Sequence, residues 1–209
     1  MPDAPSTDVL DVGTPHGPAR VHLTAAPHPR AALVLGHGAG GGVGAPDLRV
    51  AAAAASSLGL AVALVEQPYK VAGRRAPGPA RQLDAAWTAV VDHLRSGPLA
   101  GLPLVVGGRS SGARVACRTA SATGAVGVLC LAFPVRPPGR PDAPDRLGEL
   151  DAVDVPALVV QGERDPFGTP PGAPGRDDVV VAGDHGLKKD LAGGGAAVAL
   201  GLPRVAGGR

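Results

Sequence analysis

The sequence predicts an α/β fold: a doubly wound, mostly parallel sheet with helices on both faces. From residue 31 onward, short Val- and Leu-rich runs recur with near-continuous apolarity, which is typical of strands buried on both sides. Segments with helical periodicity separate these runs, and this alternation favours parallel strands joined by right-handed crossovers. The length of 209 residues suits a single domain over 1–209.

The chain is expected to start with an antiparallel hairpin. Residues 9–12 and 19–23 are short apolar runs on either side of a Gly- and Pro-rich loop, a pattern typical of two paired strands. The apolar runs that follow are the predicted strands of the main sheet: 31–35, 60–65, 102–106, 125–132, 157–160 and 179–181.

Helices are predicted between these strands. Residues 46–58 start with a proline and an aspartate and stop before a glycine, as helices commonly do. A small, Ala-rich helix is predicted for residues 111–122, and a short helix is predicted for residues 145–153. A further helix carries an apolar stripe at helical spacing: Leu83, Trp87, Val90 and Leu94. Residues 1–6 and 193–209 are expected to fray, the latter because they begin with three glycines.

Composition and charge exclude several classes of protein. Glycine and proline number 32 and 23, but 44% of the residues are hydrophobic, which favours a packed core over disorder. A net charge of +2 without a basic run argues against nucleic-acid binding. The sequence has neither a membrane-spanning run nor a secretory signal, so a cytoplasmic protein without a membrane partner is expected. Cys117 and Cys130 are predicted to be buried free thiols.

The predicted strand 102–106 is followed by a G-x-S-x-G motif and then by a predicted helix. Ser110 has glycines two positions away on both sides, whereas Ser111 has Arg109 and Ala113 there. Ser110 is therefore the predicted nucleophile, and the backbone N–H of Ser111 is a predicted oxyanion donor. A Gly-Ser turn that caps a helix is the alternative interpretation.

Residues 36–41, Gly-His-Gly-Ala-Gly-Gly, follow another predicted strand. They match the G-x-G-x-x-G pattern of dinucleotide sites, with Glu66 as the acid that would bind a ribose. They also resemble the His-Gly-x-Gly segment of serine hydrolases, in which the N–H of Ala39 would be the second oxyanion donor. His37 is expected to order this loop. The dinucleotide interpretation leaves Ser110 and its candidate partners unexplained.

An acid and a base follow two later strands. Asp165 lies in Gly-Glu-Arg-Asp-Pro-Phe-Gly and His185 in Gly-Asp-His-Gly, so the chain order Ser, Asp, His is that of α/β-hydrolases. Glu163 is the second candidate for the acid. The stretch 166–175 carries four prolines, which forbid a helix there and put the position of Asp165 in doubt.

Together these motifs resemble a known family. GHGAGG, GGRSSGAR, FPVRPPGR, GERDPFG and AGDHGLK are similar to the small lidless α/β-hydrolases, which include dienelactone-hydrolase-like proteins and the hydrolase-like domain of a chromatin NSL-complex subunit. The resemblance implies an α/β-hydrolase fold without a cap domain and a triad of Ser110, Asp165 and His185. Substrates in this subgroup are generally unknown, and some relatives are scaffolds.

The sequence thus predicts a serine hydrolase that cleaves a small ester or related acyl compound without a cofactor or metal. The alternatives are a non-catalytic interaction module on the same fold and, third, a dinucleotide-binding protein. About 24 residues between two predicted strands, 125–132 and 157–160, leave no room for a cap, so a shallow, open site is expected. Several Lys and Arg residues lie on the loops around this predicted site. They indicate either a substrate with an anionic group or simply a rim of charged side chains exposed to water. The residues predicted to contact substrate are His37, Gly38, Tyr69, Arg109, Phe133, Arg136 and Phe167.

Overall fold

A computed structural model describes residues 6–207 and contains one eight-stranded sheet. The strand order is β1-β2-β4-β3-β5-β6-β7-β8. The first two strands form an antiparallel hairpin, β2 is antiparallel to β4, and the strands from β3 to β8 run parallel. The strands are β1 Thr7–Val12, β2 Ala19–Thr24, β3 Ala32–Gly36, β4 Ala61–Glu66, β5 Leu104–Arg109, β6 Gly127–Leu131, β7 Ala157–Gly162 and β8 Arg176–Val181. The predicted hairpin and mostly parallel sheet are confirmed.

Helices cover both faces of the sheet. They are α1 Pro46–Ser57, α2 Pro68–Val71, α3 Ala80–Ser96, α4 Ser111–Thr119, α5 Leu147–Asp151 and α6 Leu191–Val205. Alternate residues of β3 enter two separate cores: Leu33 packs with residues of α1 and α6, and Val34 packs with residues of α3 and α4. Because successive side chains enter cores on opposite faces of the sheet, nearly every residue of such a strand is apolar. No helix in the described part of the chain is long and apolar enough to cross a membrane.

The prediction that the chain frays after residue 193 is wrong for the residues that form α6. The carboxylate of Asp190 accepts a hydrogen bond from the N–H of Gly193, which caps the helix. Val198 and Leu202 are buried against the sheet. Burial of this apolar face outweighs the poor helix propensity of the glycines. Of the other residues predicted to fray, 1–5 and 208–209 lie outside the described part of the chain.

Two connections bear on the site. Residues 166–175 form no helix or strand, as the four prolines predict. The connection from β6 to β7 holds the five-residue α5 and no cap domain, also as predicted.

Cys117 on α4 and Cys130 on β6 are buried free thiols, which confirms the prediction made for them. Their sulfur atoms lie 3.5 Å apart, a proximity that their separation in sequence does not reveal.

Candidate active site

Ser110 lies at the sharp turn between β5 and α4. Its backbone adopts φ 53° and ψ −109°, in the left-handed half of conformational space that non-glycine residues rarely enter. The turn is held by a hydrogen bond from the N–H of Ser110 to the carbonyl of Leu131, 2.9 Å. Such a strained strand-to-helix turn presents the side chain of its central residue at the carboxyl edge of the sheet.

The glycines of the G-x-S-x-G motif are required by close packing of this turn against β3. A Cβ atom at Gly112 would lie 2.4 Å from the carbonyl oxygen of Gly36, and one at Gly108 would lie 2.5 Å from the same oxygen. Neither approach is sterically possible, so any side chain at these positions would push the turn away from β3. Gly36 is the first glycine of the G-x-G-x-x-G pattern that is also found in dinucleotide sites. In this structure its carbonyl packs against the turn that supports Ser110.

The predicted Ser, His and Asp side chains form a continuous hydrogen-bonded chain. The Nε2 atom of His185 lies 2.8 Å from Oγ of Ser110, and its Nδ1 atom lies 2.8 Å from Oδ2 of Asp165. The Asp165 side chain is fully buried, whereas 16% of the His185 side chain is exposed. With the proton on Nδ1 donated to Asp165, Nε2 is free to accept the proton of the serine hydroxyl.

Asp165 is held in place with the help of the Pro-rich segment 166–175, which had put its position in doubt. Its Oδ1 atom accepts a hydrogen bond of 2.9 Å from the N–H of Phe167, and its Oδ2 atom accepts one of 2.8 Å from Nε2 of Gln161. Gln161 also donates to the carbonyl of Gly168. The sequence reasoning missed Gln161. Its signal is a single amide side chain in the otherwise apolar strand β7, where it is 1% exposed.

The second candidate for the acid lies elsewhere. Glu163 is exposed, and its carboxylate lies 3.6 Å from Nε of Arg164, the neighbouring residue. The salt bridge to His185 comes from Asp165 instead. The geometry therefore favours Asp165 as the residue that orients the histidine.

The glycine-rich loop after β3 lies beside Ser110, since a Cβ built on Gly38 would be 3.6 Å from Cβ of Ser110. His37 fixes this loop through both ring nitrogens. Nδ1 donates to the carbonyl of Gly38 at 2.8 Å, and Nε2 accepts from the N–H of Gln67 at 3.2 Å. Burial lowers the pKa of His37, in keeping with a neutral ring. These bonds give His37 the loop-ordering role expected from the sequence, and burial leaves its ring almost no surface for contact with a substrate.

Tyr69, which follows β4, holds the same loop from the other side. Its hydroxyl donates a 2.9 Å hydrogen bond to the carbonyl of Ala39. Burial raises the pKa of Tyr69 to about 12, so the hydroxyl keeps its proton at neutral pH. Tyr69 therefore positions the predicted oxyanion residue, and its hydroxyl is engaged there rather than offered to substrate.

The remaining predicted contact residues divide into those beside the triad and those turned away. The ring of Phe167 lies 4.2 Å from that of His185, centroid to centroid. Phe133 is fully buried, in the core that also contains residues of α3 and α4, so its side chain has no exposed surface to offer to a substrate. Arg136 lies 3.1 Å from Asp145. Arg109 forms an ion pair with Asp47, so neither arginine is an uncommitted cation.

The geometry disfavours the dinucleotide interpretation. Glu66 faces the antiparallel strand β2, where its carboxylate lies 3.3 Å from Nε2 of His22. The helix after the glycine-rich loop starts at Pro46 and carries the buried carboxylate of Asp47 in its first turn. Pro46 has no N–H to donate, and the side chain of Asp47 occupies this first turn, so the helix N-terminus is poorly suited to a pyrophosphate. Within residues 6–207, no three His, Cys, Asp or Glu side chains cluster as metal ligands do.

Comparison with known proteins agrees with this architecture. The family described as "Alpha/beta hydrolase domain" matches residues 29–194. A serine hydrolase without a lid from Xanthomonas campestris is 22% identical, with a TM-score of 0.74 over 98% of this chain and 97% of that chain. Dienelactone hydrolase from Anabaena variabilis is 17% identical, with a TM-score of 0.76 over 97% of this chain and 99% of that chain.

A third solved structure, Est1E from Butyrivibrio proteoclasticus, is 12% identical, with a TM-score of 0.73 over 94% of this chain and 98% of that chain. A search of curated proteins found no match. At these identities the structural neighbours show a shared fold. The alignments extend over nearly the whole length of both chains.

Proposed function

This chain belongs to the α/β-hydrolase domain family, and on that premise we propose that it is a serine hydrolase acting on small esters or related acyl compounds. The observation that carries the proposal is the unbroken chain of 2.8 Å contacts from Ser110 through His185 to Asp165. A cytoplasmic location and a small-molecule substrate, with no nucleic-acid or membrane partner, are further parts of the proposal.

The first half of the proposed reaction forms an acyl-enzyme. Ser110 Oγ attacks the substrate carbonyl carbon while Nε2 of His185 takes the hydroxyl proton. The carboxylate of Asp165 accepts the Nδ1 hydrogen bond and stabilises the imidazolium that forms. His185 then returns the proton to the leaving alcohol as the tetrahedral intermediate collapses.

The charge on the tetrahedral oxygen is assigned to two backbone N–H groups, those of Ala39 and Ser111. Ser111 is the first residue of α4, where the N–H has no intrahelical partner and the helix dipole favours negative charge. Ala39 lies in the loop that His37 and Tyr69 fix. Water then attacks the acyl-enzyme with His185 as general base, which releases the acid and restores Ser110.

Labelling with a fluorophosphonate probe tests this proposal. The wild-type protein is expected to be labelled, and peptide mass spectrometry is expected to place the adduct on Ser110. Ser110→Ala should lose both the label and at least about a thousandfold of the kcat for p-nitrophenyl acetate. Ser121→Ala, a change in an exposed turn after α4, is the control that should retain both.

Two other outcomes would contradict the proposal. Folded wild-type protein that takes no label and hydrolyses no ester would support a non-catalytic interaction module on this fold. An adduct on a residue other than Ser110 would show that the nucleophile is wrongly assigned.

A further inference from the structure

Arg109 immediately precedes Ser110 and joins two distant segments through one side chain. Its Nε atom lies 2.9 Å from Oδ2 of Asp47, in the first turn of α1. Its Nη2 atom donates a 2.8 Å hydrogen bond to the main-chain carbonyl of His185. The arginine side chain is 20% exposed and that of Asp47 is 4% exposed, so the pair lies mostly out of water.

The same guanidinium lies against the glycine-rich loop. A Cβ atom on Gly38 would be 2.7 Å from Nη1 of Arg109, closer than such atoms approach in proteins. Glycine at this position leaves the space that the guanidinium occupies. Arg109 thus touches α1, the loop that holds Ala39, and the turn that holds His185.

Asp47 makes this contact difficult to break. Its Oδ1 atom accepts a hydrogen bond from the N–H of Leu48, 3.0 Å. Burial raises the pKa of the Asp47 carboxyl, and the charge of Arg109 opposes that rise. A buried carboxylate that loses its cation is strongly destabilising, so Arg109 is held toward Asp47. The planar guanidinium can serve the carboxylate and the carbonyl of His185 at once.

The turn that carries His185 has few regular hydrogen bonds of its own. The N–H of Leu187 donates to the carbonyl of Asp184, and that of Gly186 donates to the Asp184 side chain. Leu187 has a φ of 48°, which is uncommon for a residue with a side chain. A small displacement of such a turn moves the imidazole, and a misplacement of about 1 Å costs about a hundredfold in rate.

We infer that Arg109, anchored by Asp47, is a positioning residue that fixes the main chain of His185 so that its imidazole reaches Ser110. Arg109 acts through His185 and does not bind substrate. This inference rests on the proposed function and adds a residue to it. It replaces the sequence-based prediction that Arg109 contacts the substrate.

Steady-state kinetics with p-nitrophenyl acetate test the inference. Arg109→Leu is expected to lower kcat about ten- to hundredfold with little change in KM. Arg109→Lys keeps the charge but cannot serve both acceptors in the same way, so it should fall between Arg109→Leu and the wild type. Asp47→Asn removes the anchor, and the double variant should be no slower than Arg109→Leu alone if the pair acts as one unit.

Arg114→Leu is the matched control. Arg114 lies on α4, and its side chain is 27% exposed and forms an ion pair with Glu149 on α5 rather than with a residue of the triad. Its loss should lower the thermal midpoint much as the loss of Arg109 does, but leave kcat unchanged. The low-field NMR signal of the His185 Nδ1 proton gives an independent readout. It should persist in Arg114→Leu and broaden or shift in Arg109→Leu.

Three results would overturn the inference. The first is an unchanged kcat in Arg109→Leu. The second is an increase in the KM of Arg109→Leu at constant kcat. The third is an equal fall in kcat in Arg109→Leu and Arg114→Leu when the two variants are equally stable. All three leave the proposed function intact if the wild type is labelled at Ser110. Failure of that labelling refutes the proposed function itself, so the two failures are distinguishable.

Discussion

Close to Ser110, several buried polar side chains hold other groups of the site in place. Gln161 orients Asp165, Tyr69 holds Ala39, and His37 bonds the main chain on both sides of its ring. Each of these side chains is at most 9% exposed. Fixing the groups around a nucleophile before substrate arrives lowers the reorganisation that the reaction requires.

The buried ring of His37 makes stability depend on pH. Burial lowers the pKa of His37, so between that pKa and the ordinary value of about 6.5 the unfolded chain binds more protons than the folded protein. The free energy of unfolding should therefore fall as the pH decreases through this window, by at most about 1.4 kcal/mol per pH unit for one proton.

Urea denaturation at several pH values between 5 and 8 would measure how the free energy of unfolding changes with pH. The slope should correspond to the uptake of at most about one proton on unfolding. His37→Asn should be less stable at pH 8 but should show a flatter slope. Ser121→Ala, which removes no titratable group from an exposed turn, should keep the wild-type slope. Equal slopes in His37→Asn and the wild type would refute the prediction.

The residues predicted to contact substrate show what sequence position can and cannot reveal. Phe133 and Phe167 both follow strands on the same edge of the sheet, yet the first is in the core and the second stacks on His185. Successive side chains at a strand end point to opposite sides, and the exact end of a strand is what sequence patterns locate least well. Arg109 could not be assigned either, because its partner Asp47 lies on a different element.

At the scale of elements, α6 shows why glycine content misled the sequence prediction. The helix packs mainly against α1 and β7. A Cβ on Gly195 would lie 2.8 Å from Cγ1 of Val50, and one on Gly201 would lie 2.7 Å from Cδ2 of Leu158. These glycines permit close approach to neighbouring elements, so the packing that stabilises the helix uses the residues that weaken it in isolation.

Two glycines of α6 should respond in opposite directions to alanine. Gly194 has open space where a Cβ would lie, so Gly194→Ala should raise the free energy of unfolding by about 0.5–1 kcal/mol. Gly201→Ala would overlap the buried side chain of Leu158, so it should lower that energy by about 1–3 kcal/mol. Urea denaturation of both variants checks this, and a stabilising Gly201→Ala would show that Leu158 has room to move.

Across the whole molecule, the features predicted from sequence are those encoded by local pattern. Continuous apolar runs predict the parallel strands, and the G-x-S-x-G motif predicts the turn at Ser110 because its steric demands are local. Contacts between distant segments have no such pattern. The ion pair of Arg109 with Asp47 and the bond from Arg109 to His185 arise only when the sheet brings strand ends together.

The absence of a cap in the β6–β7 connection has a consequence for substrate preference. An acyl chain attached to Ser110 gains about 0.8 kcal/mol for each CH2 that it buries, which is about fourfold in kcat/KM per methylene. An open site buries few of them. The kcat/KM for p-nitrophenyl esters should therefore stay within about threefold from acetate to octanoate, measured below micelle-forming concentrations.

A rise of about fourfold per methylene would contradict this expectation. Such a rise would show that the protein buries the acyl chain along its length. Tyr69→Phe keeps the ring but removes the hydroxyl that holds Ala39. It should lower kcat by the same factor for every ester, because the oxyanion loop loosens whatever the acyl length. A fall in kcat that depends on acyl length would contradict this role of the hydroxyl.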